Sequence, residues 1–83
     1  MPDMMLDPQT IARSVARAMA GDPDQVGAFV EAIDMGDGVT DFRFATEYRG
    51  YEGWQWSVAL FHDEELGRWT VNESSLVPTD QAL

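Results

Sequence analysis

Apolar residues recur at helical spacing near the start of the chain, which predicts an amphipathic helix over residues 8–20. Asp7 and Pro8 are typical of a helix start, because aspartate caps free N–H groups and proline is tolerated at the first helical position. Gly21 marks the end of the helix. Such a helix needs a second element, most simply a sheet, to bury its apolar stripe. The stripe consists of Ile11, Val15 and Met19, broadened by Ala12 and Ala16.

Residues 28–35 fit two periods equally well. A helical stripe is formed by Val26, Phe29, Val30 and Ile33, and strand alternation is satisfied by Phe29, Glu31, Ile33 and Met35. The next residues, Gly36-Asp37-Gly38, are typical of a hairpin turn, which favours a strand before them. We therefore predict one turn at residues 23–26 and a strand from about Ala28 to Met35, although periodicity alone leaves a helix open.

Three further strands are predicted, over residues 39–46, 54–62 and 68–73. The first strand alternates between two faces. The face predicted to be buried carries Thr40, Phe42 and Phe44, and the face predicted to be wet carries Asp41, Arg43 and Ala45. The second has apolar residues on both faces, which is typical of a central strand. Its two faces carry Trp54, Trp56, Val58 and Leu60 on one side, and Ala59 and Phe61 on the other. Leu76-Val77-Pro78 is expected to close the sheet as a short edge piece.

These elements predict an α+β fold, in which the N-terminal helix packs on a four-stranded antiparallel meander sheet over residues 28–77. We expect the helix stripe to pack on the sheet face that carries Trp54, Trp56 and Val58. A chain of 83 residues is short for more than one core, so residues 1–83 are predicted to form a single domain, with residues 1–6 disordered.

Fifteen acidic residues and five arginines, with no lysine, give the chain a net charge of −10. A field of this sign repels nucleic-acid phosphates and anionic lipid headgroups, so we expect no direct binding to nucleic acid or membranes. It favours a protein partner with a basic surface. Arg13 and Arg17 lie one turn apart on the predicted helix, where we expect both to be solvated. The chain has no cysteine and no long apolar run, so we expect a cytoplasmic location.

The most distinctive run is Gly50-Tyr51-Glu52-Gly53-Trp54-Gln55-Trp56-Ser57-Val58, in which a two-glycine aromatic loop enters a strand. Weaker segments are Ala16-Arg17-Ala18, Val26-Gly27, Phe42-Arg43-Phe44-Ala45, Thr70-Val71-Asn72-Glu73 and Leu76-Val77-Pro78. Together they resemble an actinobacterial family of uncharacterised proteins, domain-of-unknown-function family 3027. The resemblance implies that Phe29 to Met35 is a strand, and it implies no activity. The chain departs from the family pattern at Glu52 and Gln55, where the resemblance leads us to expect basic residues.

No residue set in the sequence carries recognisable catalytic chemistry. His62 is the only histidine and cysteine is absent, so neither a Ser/His/Asp relay with a spare base nor a multi-histidine metal site can form within one chain. We expect His62 to pair with the neighbouring Asp63.

Two sets of carboxylates resemble a calcium site and a glycosidase site but do not match their requirements. Asp34, Asp37 and Asp41 superficially suggest calcium, but glycines occupy the third and fifth positions, where a calcium loop needs oxygen ligands. Glu31 and Glu73 could act as a glycosidase-type pair only if the sheet placed them together. We therefore predict no catalytic residue, no metal site and no cofactor, and a small enzyme is the least favoured function.

One group has binding character, because tyrosine, tryptophan and arginine dominate interface hot spots. Its members are Tyr48, Arg49, Tyr51 and Trp54. A small domain also needs aromatic residues in its core, and we expect Trp54, Trp56 and Trp69 to contribute there.

The predicted function is a small acidic, non-catalytic protein-interaction module. The alternative is an acidic decoy that mimics nucleic acid and occupies a DNA- or RNA-binding protein. Ala59 and Phe61 on the second face of the central strand further suggest a homodimer, because one helix can cover only one face of a sheet.

Overall fold

A computed structural model of the protein describes residues 7–82. It contains an α-helix, α1 (Pro8–Ala20), a 3₁₀ turn (Pro23–Gln25), and the strands β1 (Val26–Gly36), β2 (Val39–Thr46), β3 (Trp54–Asp63) and β4 (Arg68–Pro78). The strands form one antiparallel sheet in the order β1-β2-β3-β4, and α1 packs on it. The fold is therefore the α+β helix and meander that the sequence predicts. The predicted disorder at residues 1–6 lies outside the described residues.

Strand β1 departs from the predicted alternation. It begins two residues before the predicted start, and a register shift separates Phe29 from Glu31. Phe29 lies opposite Phe44, whereas Glu31 lies opposite Arg43. The extra residue of such a β-bulge sends the residues after it to the other face of the sheet. Phe29 therefore packs edge-on against Phe44 on the helix side, at 5.9 Å between ring centroids, while Glu31 lies on the opposite side.

Strand β4 is longer than predicted. It runs from Arg68 to Pro78 without a break, instead of ending at Glu73. Its pairing with β3 shifts register between Ala59 and Leu60, so an irregularity within the strand takes up the extra residue. The segment that was expected to form a separate edge piece is thus the end of the main strand.

Helix α1 contacts the sheet through its smallest side chains. Ala12 and Ala16 are fully buried, Ile11 and Val15 flank them in half-buried positions, and Met19 stays 39% exposed. Alanine at the centre lets the helix backbone approach the large side chains of the sheet closely. The buried sheet residues beneath it are Phe42, Phe44, Trp56, Val58 and Leu60.

Within residues 7–82, no helix has the length and apolar character that crossing a bilayer requires.

Arg13 is not the solvated residue that the sequence predicts. Its Nη1 donates a hydrogen bond to the carbonyl oxygen of Gly27 at 2.8 Å, and its guanidinium carbon lies 4.8 Å from the centroid of the Phe44 ring. A cation over an aromatic ring is attracted by the negative face of that ring. Arg13 thus joins the helix to the start of β1 and to the core, whereas Arg17 is exposed as predicted.

The three tryptophans do not all enter the core. Trp56 is 4% exposed, and its Nε1 donates a hydrogen bond to the carbonyl oxygen of Gln25 at 3.1 Å. Trp69 is half-buried at the edge of the core, with its ring centroid 6.4 Å from that of Phe42. Trp54 is half-buried where the β2–β3 loop enters β3. Only Trp56 is fully a core residue.

We predict that Ala16→Asp unfolds the domain or lowers its free energy of unfolding by about 3 kcal/mol or more, because an unpaired carboxylate would be buried against the sheet. Ala18→Asp is the matched control, since Ala18 is exposed on the same helix and the substitution changes the charge equally. Thermal and urea denaturation followed by circular dichroism would compare the two. Equal stability of both variants would contradict the observed helix packing.

Candidate functional site

Three aromatic side chains pack together where the β2–β3 loop, residues 47–53, enters β3. The rings of Tyr48 and Tyr51 are nearly parallel, with centroids 4.9 Å apart and an interplanar angle of 9°. Trp54 meets Tyr51 edge-on, with centroids 5.2 Å apart and an angle of 84°. We refer to Tyr48, Tyr51 and Trp54 as the aromatic stack. Both geometries are favourable for aromatic pairs, so each ring helps to hold the next.

Two successive turns of the backbone bring these rings together. The backbone N–H of Tyr51 donates to the carbonyl oxygen of Tyr48, and that of Trp54 donates to the carbonyl oxygen of Tyr51, both at 3.0 Å. Each turn requires a positive φ, which glycine adopts without a steric penalty. Gly50 and Gly53 supply it, with φ of 90° and 84°. The two-glycine spacing that stands out in the sequence therefore sets the spacing of the rings.

The C-terminal turn, residues 79–82, supports the loop from behind. The backbone N–H and the Oγ1 hydroxyl of Thr79 both donate to the carbonyl oxygen of Gly53. Thr79 Oγ1 in turn accepts from the backbone N–H of Gln81 at 3.1 Å, and Thr79 O accepts from Ala82 N at 2.9 Å. A side chain at residue 53 would overlap the backbone of Gln81. The sequence patterns did not predict this support, although a threonine that can bond two residues ahead is a recognised turn signal.

The predicted binding residues differ in exposure. Tyr48 is 39% exposed, Arg49 is exposed, and Tyr51 and Trp54 are half-buried. The structure brings the three aromatic residues together, and Arg49 lies in the same loop next to the exposed end of the stack. Among residues 7–82, no acidic side chain forms an ion pair with Arg49. The loop thus presents one aromatic ring and one cation to solvent.

A second group of polar side chains lies on the sheet face opposite α1, which we call the open face. Asp41 Oδ2 accepts from Arg43 Nε at 2.8 Å, and Asp41 Oδ1 accepts from the Ser57 hydroxyl at 2.6 Å. Arg43 Nη1 also donates to Gln55 Oε1 at 3.2 Å. These four residues form the polar cluster. The prediction that Asp41 faces water was wrong, because its neighbours on β2 and β3 leave it only 5% exposed.

His62 is placed differently from the prediction. Its ring packs on Trp69, with centroids 4.6 Å apart, and it does not pair with Asp63. Successive residues of a strand point to opposite faces, which keeps the two side chains apart. Asp63 instead accepts hydrogen bonds from the backbone N–H groups of Glu65 and Leu66, at 3.1 and 3.2 Å. The carboxylate therefore shapes the β3–β4 turn.

The remaining carboxylates are dispersed. Glu31 on β1 and Glu73 on β4 lie on opposite edge strands, so about 14 Å of sheet, three strand spacings, separates them. That distance is too large for the pair of carboxylates that glycoside hydrolysis uses. Within residues 7–82, no three His, Cys, Asp or Glu side chains lie close enough to hold a metal ion.

A family profile described as "Protein of unknown function (DUF3027)" matches residues 27–83, which is more than half of the chain. The chain belongs to the DUF3027 family. The DUF3027 match contains the aromatic stack, the polar cluster and all but the first residue of the sheet, whereas α1 precedes it. No curated protein and no solved structure matches the chain. The description of the DUF3027 family names no activity.

We expect Gly53→Ala to release the C-terminal turn of this DUF3027 domain, because the added carbon would overlap the backbone of Gln81. Gly50→Ala is the matched control, since it has a similar φ and open space around it. Each should cost roughly 1–2 kcal/mol for the left-handed backbone, and Gly53→Ala at least about 1 kcal/mol more. Urea denaturation and hydrogen exchange of the Thr79 and Ala82 amides would measure the difference. Equal losses would show that the turn does not support the loop.

Proposed function

We propose that the protein is a small acidic, non-catalytic interaction module that binds a protein partner through the aromatic stack and Arg49. The observation that carries this proposal is the fixed geometry of Tyr48, Tyr51 and Trp54 on a loop whose rear is hydrogen-bonded to the C-terminal turn. Aromatic side chains that are already ordered lose little conformational entropy on binding, so more of their contact energy appears as affinity.

Charge supports a partner with a basic surface. The chain carries a net charge of −10, and Asp41 is the only buried acidic residue among residues 7–82. The other acidic residues of this part of the chain are at least partly exposed, and Glu47 and Glu52 lie in the same loop as Tyr48 and Tyr51. These carboxylates would attract a basic partner over a distance of about a Debye length, and would repel nucleic acid directly.

We propose a cytoplasmic location, because a chain without cysteine is compatible with the reducing environment of the cytoplasm.

One observation favours the decoy as a second candidate. The β1–β2 and β3–β4 turns meet at the end of the sheet away from the aromatic stack, and they gather four carboxylates around Phe61 and His62. The carboxylates belong to Asp37, Asp63, Glu64 and Glu65. A local concentration of negative charge is what a nucleic-acid-binding protein would recognise in a mimic. We therefore retain an acidic decoy as the alternative, with this acidic end as its contact surface.

Affinity capture from the native host followed by direct titration would test the proposal. The retained protein would be identified, purified and titrated with the wild type, with Tyr48→Ala and with Leu66→Ala. Leu66 is the control because it is 61% exposed in the β3–β4 turn, away from the stack. We expect Tyr48→Ala to weaken binding at least about tenfold, which corresponds to roughly 1.4 kcal/mol, and Leu66→Ala to leave it unchanged.

The decoy would give the opposite pattern. Its partner would bind DNA or RNA, its affinity would fall steeply with added salt, and Glu64→Gln with Glu65→Gln would weaken it while Tyr48→Ala would not. Such a result, or equal effects of Tyr48→Ala and Leu66→Ala, would exclude the aromatic stack as the contact.

A further inference from the structure

The open face of the sheet has no element of the chain, within residues 7–82, packed across it. Helix α1 covers the other face, and its contacts are with the residues of the core. Phe61 is 38% exposed on the open face, although it lies on a central strand. Apolar side chains from all four strands face the same side: Ile33, Val39, Ala45, Ala59, Phe61 and Val77.

The polar groups at the centre of this face, on β2 and β3, are paired with one another. Both carboxylate oxygens of Asp41 accept hydrogen bonds, Arg43 donates through Nε and Nη1, and Gln55 and Ser57 complete the polar cluster. Covering a polar group that already has its partners avoids the penalty of leaving it unpaired in a dry environment. The centre of the open face can therefore be buried without any new hydrogen bond from the molecule that covers it.

The charge of the open face indicates which kind of molecule covers it. Its strands carry four carboxylates and two guanidinium groups, a net charge of −2 against −10 for the whole chain: Glu31, Asp41, Asp63 and Glu73, with Arg43 and Arg68. A basic partner would be attracted to the remaining surface, where most of the negative charge lies. Away from the acidic end, which adds Asp37, Glu64 and Glu65 beside Phe61, the face is nearly neutral and partly apolar, so another copy of the same face can lie against it.

The size and shape of the face also suit a second copy. Four strands about 4.8 Å apart and about eight residues long span roughly 500 Å² per copy, so a dimer would bury about 1,000 Å², the lower limit for a stable interface. The face contains an open concavity of about 410 Å³, which Met35, Val39 and Ala59 help to line, and Phe61 lies opposite Val39 in the β2–β3 ladder. A two-fold interface needs a patch that fits itself, and an exposed ring next to a hollow provides both halves.

We infer that two copies of the chain pack face to face through their open sheet faces, as a symmetric dimer with α1 on each outer side. This interface is independent of the aromatic stack, which lies on a loop at the end of the sheet. The net charge of −10 on each copy opposes the association. Added salt screens that repulsion, so the dimer strengthens as ionic strength rises.

Sedimentation equilibrium from micromolar to millimolar protein, at low and high salt, tests the inference. We expect a monomer–dimer equilibrium for the wild type, a dimer dissociation constant at least about tenfold higher for Phe61→Glu, and a change within about twofold for Leu66→Glu. The control adds the same charge at another exposed apolar residue, in the β3–β4 turn. Circular dichroism would verify that each variant is folded.

Thr70→Glu provides a second test in case Phe61→Glu does not fold. Thr70 is exposed and lies opposite Phe61 in the β3–β4 ladder, so it shares the open face. The Thr70→Glu substitution should weaken the dimer without affecting the fold of the monomer. A wild type that is monomeric at every concentration and salt, or equal effects of the face variants and Leu66→Glu, would overturn the inference.

Discussion

One helix has to stabilise a four-stranded sheet that has two faces. Helix α1 covers the face with the largest apolar side chains, where Ala12 and Ala16 let it approach Phe44 and Trp56 closely. Burial at this contact is the main source of stability in a chain of 83 residues, because so short a domain has room for one small core. The helix does not reach the other face of the sheet, and no other element within residues 7–82 covers that face.

At the centre of the open face, the polar groups of β2 and β3 are paired with one another. A buried ion pair is costly unless hydrogen bonds satisfy the remaining atoms, and Ser57 and Gln55 supply those bonds to Asp41 and Arg43. The meander separates this cluster from the two ends of the sheet. The β2–β3 loop places the aromatic stack at one end, and the two acidic turns meet at the other. The three surfaces differ in chemistry, which suits them to different contacts.

Local patterns predict much of this arrangement. The stripe from Ile11 to Met19, the hairpin glycines and the alternation in β2 and β3 predict the helix, the meander and the two faces, since each depends only on residues near in sequence. The bulge in β1 and the contacts of Arg13 could not be predicted, because they depend on register and on residues distant in sequence. The support of Gly53 by the C-terminal turn joins residues 26 apart, so it is likewise a tertiary property.

In the inferred dimer each face of the sheet is covered, one by α1 and the other by a second copy. The chain has no cysteine, so Ser14→Cys would allow a single spin label on the exposed side of α1, away from the open face. Double electron–electron resonance between the two labels should give one distance of about 40 Å. This value follows because the two sheets would lie about 10 Å apart and each carries a helix 10–12 Å thick on its outer side. A distance below about 25 Å, or no dipolar coupling at millimolar protein in high salt, would contradict the account.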